Sequence, residues 1–400
     1  MNWHAGFLQS IKFFAAQRNY VAVACSGGAD SVFLTHALFS VYGEKLKVLI
    51  VNHNLQKNST QIANQAKVNL QKFGINSEIL TWNHEKILTG IEEKARIARY
   101  NLIANYCNTH KIETVFLGHH IDDKIETFFM NSVRGSGLAG LASMREISKR
   151  NAITYIRPMV HMLEKCQIVE YLKFNKIEWL EDETNSDAQF TRNKLRQMLH
   201  LETQQKLGII QTIKNLEAIY DAKIAEIENF VENCGTLQNL SFAIKIESIE
   251  KLPDVDFRYF ILCVIFEKIY KFSYFEVRQE TIENILQWLE SENTKATFLK
   301  CIFYKKNGLL HIVPEWQRLD GKQCIAGMKN QWNGLCEITS YLTGEIVPLA
   351  KLPIELRKSL QIKEKFWEIA HLPALICDGK VSVPHLGVNL GIFEFDVKVV

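Results

Sequence analysis

The first half of the chain alternates short apolar runs with longer stretches of helical spacing. Tyr20-Val21-Ala22-Val23-Ala24, Lys47-Val48-Leu49-Ile50-Val51, Ser77-Glu78-Ile79-Leu80-Thr81-Trp82 and Thr114-Val115-Phe116-Leu117 read as strands. Between them, residues 30–41, 61–73 and 91–110 carry apolar or small residues at helical spacing. Strands that are apolar on both faces and alternate with helices imply a parallel sheet covered on both sides. Ligands on such sheets sit beyond the carboxyl ends of the strands, where Ser26, His53 and His119 fall. From about Asn193 the pattern changes. Residues 195–234, 257–272 and 276–290 show helical spacing without strand punctuation. Short β-like runs return at 298–304, 308–314 and 380–383, and Pro348 and Pro353 interrupt a terminal module of mixed α and β structure. An α/β domain over 1–205, a helical domain over 206–310 and a small mixed domain over 311–400 are expected.

Composition narrows this only a little. With 47% hydrophobic residues the chain can build real cores, so wholesale disorder is excluded. No run of about 18 apolar residues offers a spanning helix, and no secretion signal is read at the start. The nine cysteines are scattered without a C-x-x-C pair. That argues against a disulfide framework or a zinc ribbon and fits a reducing cytoplasm. Charge is uneven: residues 1–200 hold 24 Lys+Arg against 18 Asp+Glu, a net +6, and the remainder 23 against 26, a net −3. A basic front half is compatible with a polyanionic partner but does not identify one.

The chemistry enters with Cys25-Ser26-Gly27-Gly28-Ala29-Asp30-Ser31, between a strand and a helix. Two adjacent glycines let the backbone turn its N–H groups toward an oxyanion, and the helix N-terminus favours negative charge. The hydroxyls of Ser26 and Ser31 add donors. No lysine sits in this loop to reach terminal phosphates, so it is not the G-x-x-x-x-G-K-[ST] loop. Asp30 would repel phosphates unless a cation lay between, and Mg²⁺ is the natural bridge. A glycine turn capped by Ser and Asp is the plain alternative.

This loop resembles that of the PP-loop ATP pyrophosphatases, which cut ATP between its α and β phosphates. Later segments resemble the tRNA(Ile)-lysidine synthetase family within that group. They are Gly118-His119-His120-Ile121-Asp122-Asp123-Lys124-Ile125-Glu126-Thr127 and Arg134-Gly135-Ser136-Gly137-Leu138-Ala139-Gly140-Leu141. Arg157-Pro158, Asp182-Glu183-Thr184-Asn185 with Arg192, Asn193 and Arg196, and Glu92 with Ala95-Arg96 continue the resemblance. It implies an adenine-nucleotide-hydrolase-like parallel sheet in the PP-loop catalytic domain, followed by two tRNA-binding domains. The implied reaction uses ATP and Mg²⁺. The C2 oxygen of the wobble cytidine in CAU-anticodon tRNA(Ile) is adenylated with release of pyrophosphate. The side-chain amine of free L-lysine then displaces AMP.

On that resemblance Ser26, Gly27, Gly28, Ala29, Asp30 and Ser31 hold ATP, with Asp30 facing the metal. Asp123 and Glu126, three apart on one helix face, receive the lysine ammonium. Asp122 serves either the metal or the helix start. His119 orients a carboxylate or acts as a base; zinc on His119 and His120 is disfavoured because adjacent side chains diverge. Arg96 and Arg99 would meet a phosphate or the lysine carboxylate, or pair with Glu92 or Glu93. Arg134, Arg192, Lys194 and Arg196 suit tRNA phosphates. Asn52 and Gln56 depart from the family's charged residues at the second strand's end, and the terminal module lacks an expected basic, glycine-rich run. A cytoplasmic location follows from the cysteines and a homodimer from the resemblance alone, with no membrane partner. A PP-loop tRNA thiolation enzyme is the rival within the group, disfavoured by the missing cysteine pairs. A tRNA-binding protein with a degenerate ATP site is the rival outside it.

Overall fold

The computed structural model describes residues 2–15, 20–85, 89–150, 153–181, 201–270, 277, 279–340, 342–390 and 395–396. The chain forms two compact units, Met1–Asp221 and Ala222–Val400.

The first unit is built on a six-stranded sheet of order β3-β2-β1-β4-β6-β5. Its strands are β1 Val21–Ala24, β2 Leu46–Asn52, β3 Ser77–Thr81, β4 Thr114–Leu117, β5 Ile147–Arg150 and β6 Ile153–Ile156. All neighbours are parallel except the β5–β6 hairpin at one edge. The helices of this unit are α1 Asn2–Ala15, α2 Ala29–Tyr42, α3 Ser59–Gln71, α4 Ile91–Thr109, α5 Ile121–Val133, α6 Leu138–Leu141, α7 Lys165–Phe174 and α8 Thr203–Cys234, which carries the unit boundary. The doubly apolar strands do what their pattern requires. Val21 and Val23 pack with Phe7, Ile11, Phe33 and Leu34 on one face of the sheet. Ala22 and Val115 pack with Tyr100, Ile103 and Cys107 of α4 on the other. Each fully buried side chain of the size of Val23 or Phe33 contributes roughly 1.5–3 kcal/mol of burial free energy.

The strand order matters for function. From β1 the chain steps to β2 and β3 on one side, then crosses to β4 on the other side of β1. This switch point opens a crevice at the carboxyl ends of β1 and β4. The loop 25–28 and Gly118-His119 are therefore brought side by side.

The second unit holds a five-stranded antiparallel sheet, order β7-β8-β11-β10-β9, from β7 Gly235–Gln238, β8 Ser241–Lys245, β9 Lys295–Phe298, β10 Cys301–Lys306 and β11 Leu309–Pro314. Phe260 of the helix Asp254–Leu262 and Trp288 of the helix Gln279–Glu290 meet its aromatic residues Phe242, Phe298 and Phe303. The helical spacing of this region is thus real, but β7 and β8 lie between its helices. Phe242 and Ile244 are buried in alternation, and Asn239 and Leu240 turn the hairpin at φ of 50° and 56°. Two further sheets, one of five strands and one of three, follow within 322–396. All nine cysteines are free thiols. No helix among the described residues is long and apolar enough to cross a membrane.

Candidate active site

The loop after β1 is held by its own hydroxyl network. Buried Ser31 donates its hydroxyl to the Gly28 carbonyl at 2.9 Å and accepts the Ser26 N–H at 3.1 Å. Ser26 Oγ lies 3.2 Å from Ser31 Oγ and is exposed at the crevice. Ser31 thus shapes the loop, while Ser26 faces outward. Gly27 has φ of 88°, and a Cβ there would stand 2.9 Å from Ala66 Cβ and 3.0 Å from Leu180 Cδ1. Its carbonyl accepts the Leu180 N–H at 2.9 Å. Gly118 is needed for contact of another kind: a Cβ there would lie 3.1 Å from Ser31 Cα, so β4 closes directly onto the start of α2.

Carboxylates converge on this junction. Asp30, in the first turn of α2, is bound through both oxygens by Lys165 Nζ at 2.7 and 2.8 Å. His120 is 2% exposed, with Nε2 at 3.6 Å from Asp30 and 3.4 Å from Asp123, and Nδ1 at 3.4 Å from Asp122. Burial alone would lower the His120 pKa, but Asp123, Asp122 and Asp30 together raise it. Asp123 Oδ2 accepts the His120 backbone N–H at 3.1 Å and so caps α5. Asp122 accepts the Lys165 backbone N–H at 2.8 Å and meets Lys206 Nζ at 2.6 Å. Burial would raise its pKa, yet His120, Lys165 and Lys206 hold it well below the usual carboxylate range. Glu126 lies one turn beyond Asp123 and is buried. His119 is half-buried beside this cluster in sequence, but the ring set among the three aspartates is that of His120. Among the described residues no three His, Cys, Asp or Glu side chains form a ready metal-ligand set, zinc included.

The raised His120 pKa has a measurable consequence. Its stabilising contribution is fully present below the ordinary histidine pKa of about 6.5, and is lost as pH rises through the raised folded value. Denaturant midpoints of the chain and its His120→Asn variant should therefore lie furthest apart below the ordinary histidine pKa and converge as pH rises past the raised folded value. A gap that does not change with pH would show that the aspartates do not act on this ring.

Arginines gather behind the crevice around Tyr100. Arg96, Arg99 and Arg150 place their guanidinium carbons 5.6, 5.7 and 4.5 Å from its ring centre. Burial would raise the Tyr100 pKa, but Arg157, Arg96 and Arg99 bring it down. Arg99 is lowered by burial and by the neighbouring Arg96 and Arg157. Neither Arg96 nor Arg99 forms an ion pair with another of the described side chains. Arg134 is exposed at the end of α5, where Asn131 fastens the following loop through the Gly140 carbonyl at 2.8 Å. Asn52 is buried and bonded to Thr60 and to the Asn54 N–H, so it shapes the turn after β2. Gln56 is exposed. Arg192, Lys194 and Arg196 lie outside the described residues, as do Asp182, Thr184 and Asn185.

A second charged cluster backs α5. Lys124 Nζ is fully buried and meets Glu217 Oε1 of α8 at 2.6 Å, His161 Nε2 at 2.7 Å and the Met144 carbonyl at 3.3 Å. Arg145 joins Glu217 at 3.8 Å and also binds Asp221. Burial, with Lys124, Lys214 and Arg145 nearby, pulls the His161 pKa down to about 3, so its neutral ring accepts from Lys124.

The PP-loop domain family matches residues 5–203 of the chain. A tRNA(Ile)-lysidine synthase of Wolbachia sp. subsp. Brugia malayi is 31% identical over 251 residues, covering 60% of this chain and 58% of the relative. One from Orientia tsutsugamushi is 31% identical, covering 66% and 62%. One from Rickettsia akari is 29% identical, covering 92% and 89%. The chain belongs to the tRNA(Ile)-lysidine synthase family of PP-loop proteins. The motifs that this family shares with the sequence lead to Ser26, Asp30, Asp123 and Glu126. They pass over Lys165 and Lys206, which only the fold brings to the site, since a lone lysine on a helix carries no spacing signal.

Proposed function

We propose that this chain ligates free L-lysine to C2 of the wobble cytidine of CAU-anticodon tRNA(Ile), with ATP converted to AMP and pyrophosphate. One observation carries the reading furthest. In a member of this family, the glycine loop and the carboxylates of Asp30 and Asp123, both within 3.6 Å of His120, lie at a single switch point of a parallel sheet, with Glu126 one turn further along the helix of Asp123. The loop N–H groups of residues 27–31 and the Ser26 hydroxyl hold the phosphates. Asp30 is the residue that would hold Mg²⁺, and its partly buried carboxylate, 27% exposed, fits an ion that takes one or two carboxylates together with substrate phosphates. When bound, that ion screens the carboxylate from the phosphates.

The cytidine C2 oxygen attacks the α-phosphorus and pyrophosphate leaves. The lysine amine then attacks C2, and the C2 oxygen leaves with AMP. Asp123 and Glu126 receive an ammonium of the incoming lysine, and His119 or its neighbour His120 takes up the proton released by the amine. Arg96 and Arg99 supply positive charge for a phosphate or for the lysine carboxylate. Arg134, Arg192, Lys194 and Arg196 contact tRNA phosphates, and residues 206–310 and 311–400 grip the tRNA outside the anticodon. The enzyme acts in the cytoplasm as a homodimer.

Transfer of labelled lysine to CAU-anticodon tRNA(Ile), and not to methionine tRNA, tests this reading; no transfer to either would refute it. Glu126→Ala should keep pyrophosphate release measurable while raising the KM for lysine about 10–100-fold, the loss of one charge-assisted contact. Equal loss of pyrophosphate release and lysine transfer would show that Glu126 does not recognise lysine.

A further inference from the structure

The glycine loop has no lysine of its own, yet the fold delivers one to it. Lys165 lies 135 residues beyond Asp30 in sequence and sets its ammonium on both oxygens of that carboxylate. Its place is electrostatically awkward: it is the first residue of α7, at the positive end of the helix dipole. Its main chain is fixed, because its N–H is bound by Asp122 and the preceding Glu164 is bound by Lys206 at 2.7 Å. Its side chain is the free part, 44% exposed on a flexible four-carbon stem. Lys206, by contrast, is 19% exposed and divided between Asp122 and Glu164. One lysine is locked into the scaffold, and the other stands at the mouth of the loop.

We propose that Lys165 is the phosphate-binding lysine of this site, supplying from α7 the ammonium that the loop lacks, and that it holds the pyrophosphate portion of the bound nucleotide. This rests on the use of ATP by the proposed reaction. In the absence of nucleotide the ammonium neutralises Asp30. With phosphates present, the ammonium turns from Asp30 to the phosphate oxygens, leaving a carboxylate that would hold Mg²⁺. The leaving pyrophosphate then departs from the same cation that positioned it.

Titration calorimetry on the full chain without tRNA or lysine tests this, using Mg·ATP, Mg·pyrophosphate and AMP as probes. Lys165→Met, which keeps the stem and removes the charge, should weaken Mg·ATP and Mg·pyrophosphate about 10–100-fold each. AMP binding should change less than about threefold, because AMP lacks the groups that Lys165 meets. Lys165→Arg should restore part of the loss. If Lys165 is only the structural counter-ion of Asp30, the Met variant will bind Mg·ATP and Mg·pyrophosphate as tightly as the parent or more tightly, and the proposal falls. Equal weakening of all three probes would also overturn it, as damage to the pocket at large. Lys165→Gln replaces the Met variant should thermal unfolding show that Met is not tolerated. Because these readouts need no lysine or tRNA, a chain that binds Mg·ATP in this Lys165-dependent way but makes no lysidine would sink the proposed function alone.

Discussion

Replacing Asp30 by asparagine is expected to cut AMP release by about 10³-fold or more, on the scale of losing a preorganised electrostatic group at a reacting centre. The substitution keeps the shape of the side chain and removes only its charge. Two roles end together. The carboxylate that would hold Mg²⁺ against the phosphates is gone, and Lys165 loses the partner that both carboxylate oxygens provide. His120 also loses one of its three carboxylate neighbours, so its raised pKa should fall back toward the ordinary value. Single-turnover AMP release and tRNA affinity separate these effects from misfolding. Affinity for tRNA should persist while chemistry stops. AMP release within tenfold of the parent would remove Asp30 from the reaction.

The second large effect lies behind the site. Glu217→Ala should destabilise the first unit by roughly 3–5 kcal/mol, because it leaves the ammonium of Lys124 buried without its carboxylate. The neutral His161 ring and the Met144 carbonyl accept hydrogen bonds but bring no compensating charge. Replacing both partners, Lys124→Met with Glu217→Leu, should recover most of the loss, since a buried pair gains little net stability over apolar side chains of similar volume. Denaturant midpoints of Lys124→Met, Glu217→Leu and the double form the cycle that measures this coupling. A single variant that costs no more than an exposed substitution, about 0.5 kcal/mol, would show that the pair is not buried in solution. The pair also ties α8 to the helix that carries Asp122, Asp123 and Glu126, so the double variant separates stability from positioning. Near-parental stability with a raised KM for lysine is expected.

Much of the candidate site was legible in the sequence because its signals are local. The loop 26–31 joins a strand to a helix within a few residues, and Asp123 and Glu126 declare a shared face through helical spacing alone. A parallel sheet with ligands beyond the carboxyl ends of its strands followed from doubly apolar strands separated by helices, whereas the strand order that makes the switch point did not. Other features depend on packing that no short window contains. His119 and His120 are equivalent as a dipeptide; only the docking of α5 against α2 and α7 turns the second ring into the aspartates. Lys165 and Lys206 reach the site from separate helices, and Lys124 finds its carboxylate 93 residues away. The hairpin β7–β8 escaped because each strand is only four or five residues long and sits between strong helical patterns. Asn52 shows the reverse case. A residue that reads in sequence as a lost charge is, in the fold, the amide that shapes the turn between β2 and α3.

The most direct test of the proposed reaction is to incubate the chain with ATP, Mg²⁺ and CAU-anticodon tRNA(Ile), with and without lysine, and to follow pyrophosphate, AMP and the digested nucleosides together. Lysine-dependent AMP release matched by a cytidine heavier by lysine minus water is the predicted result. Pyrophosphate release with no lysine adduct on any cytidine would contradict it, leaving a PP-loop adenylation whose nucleophile is something other than lysine.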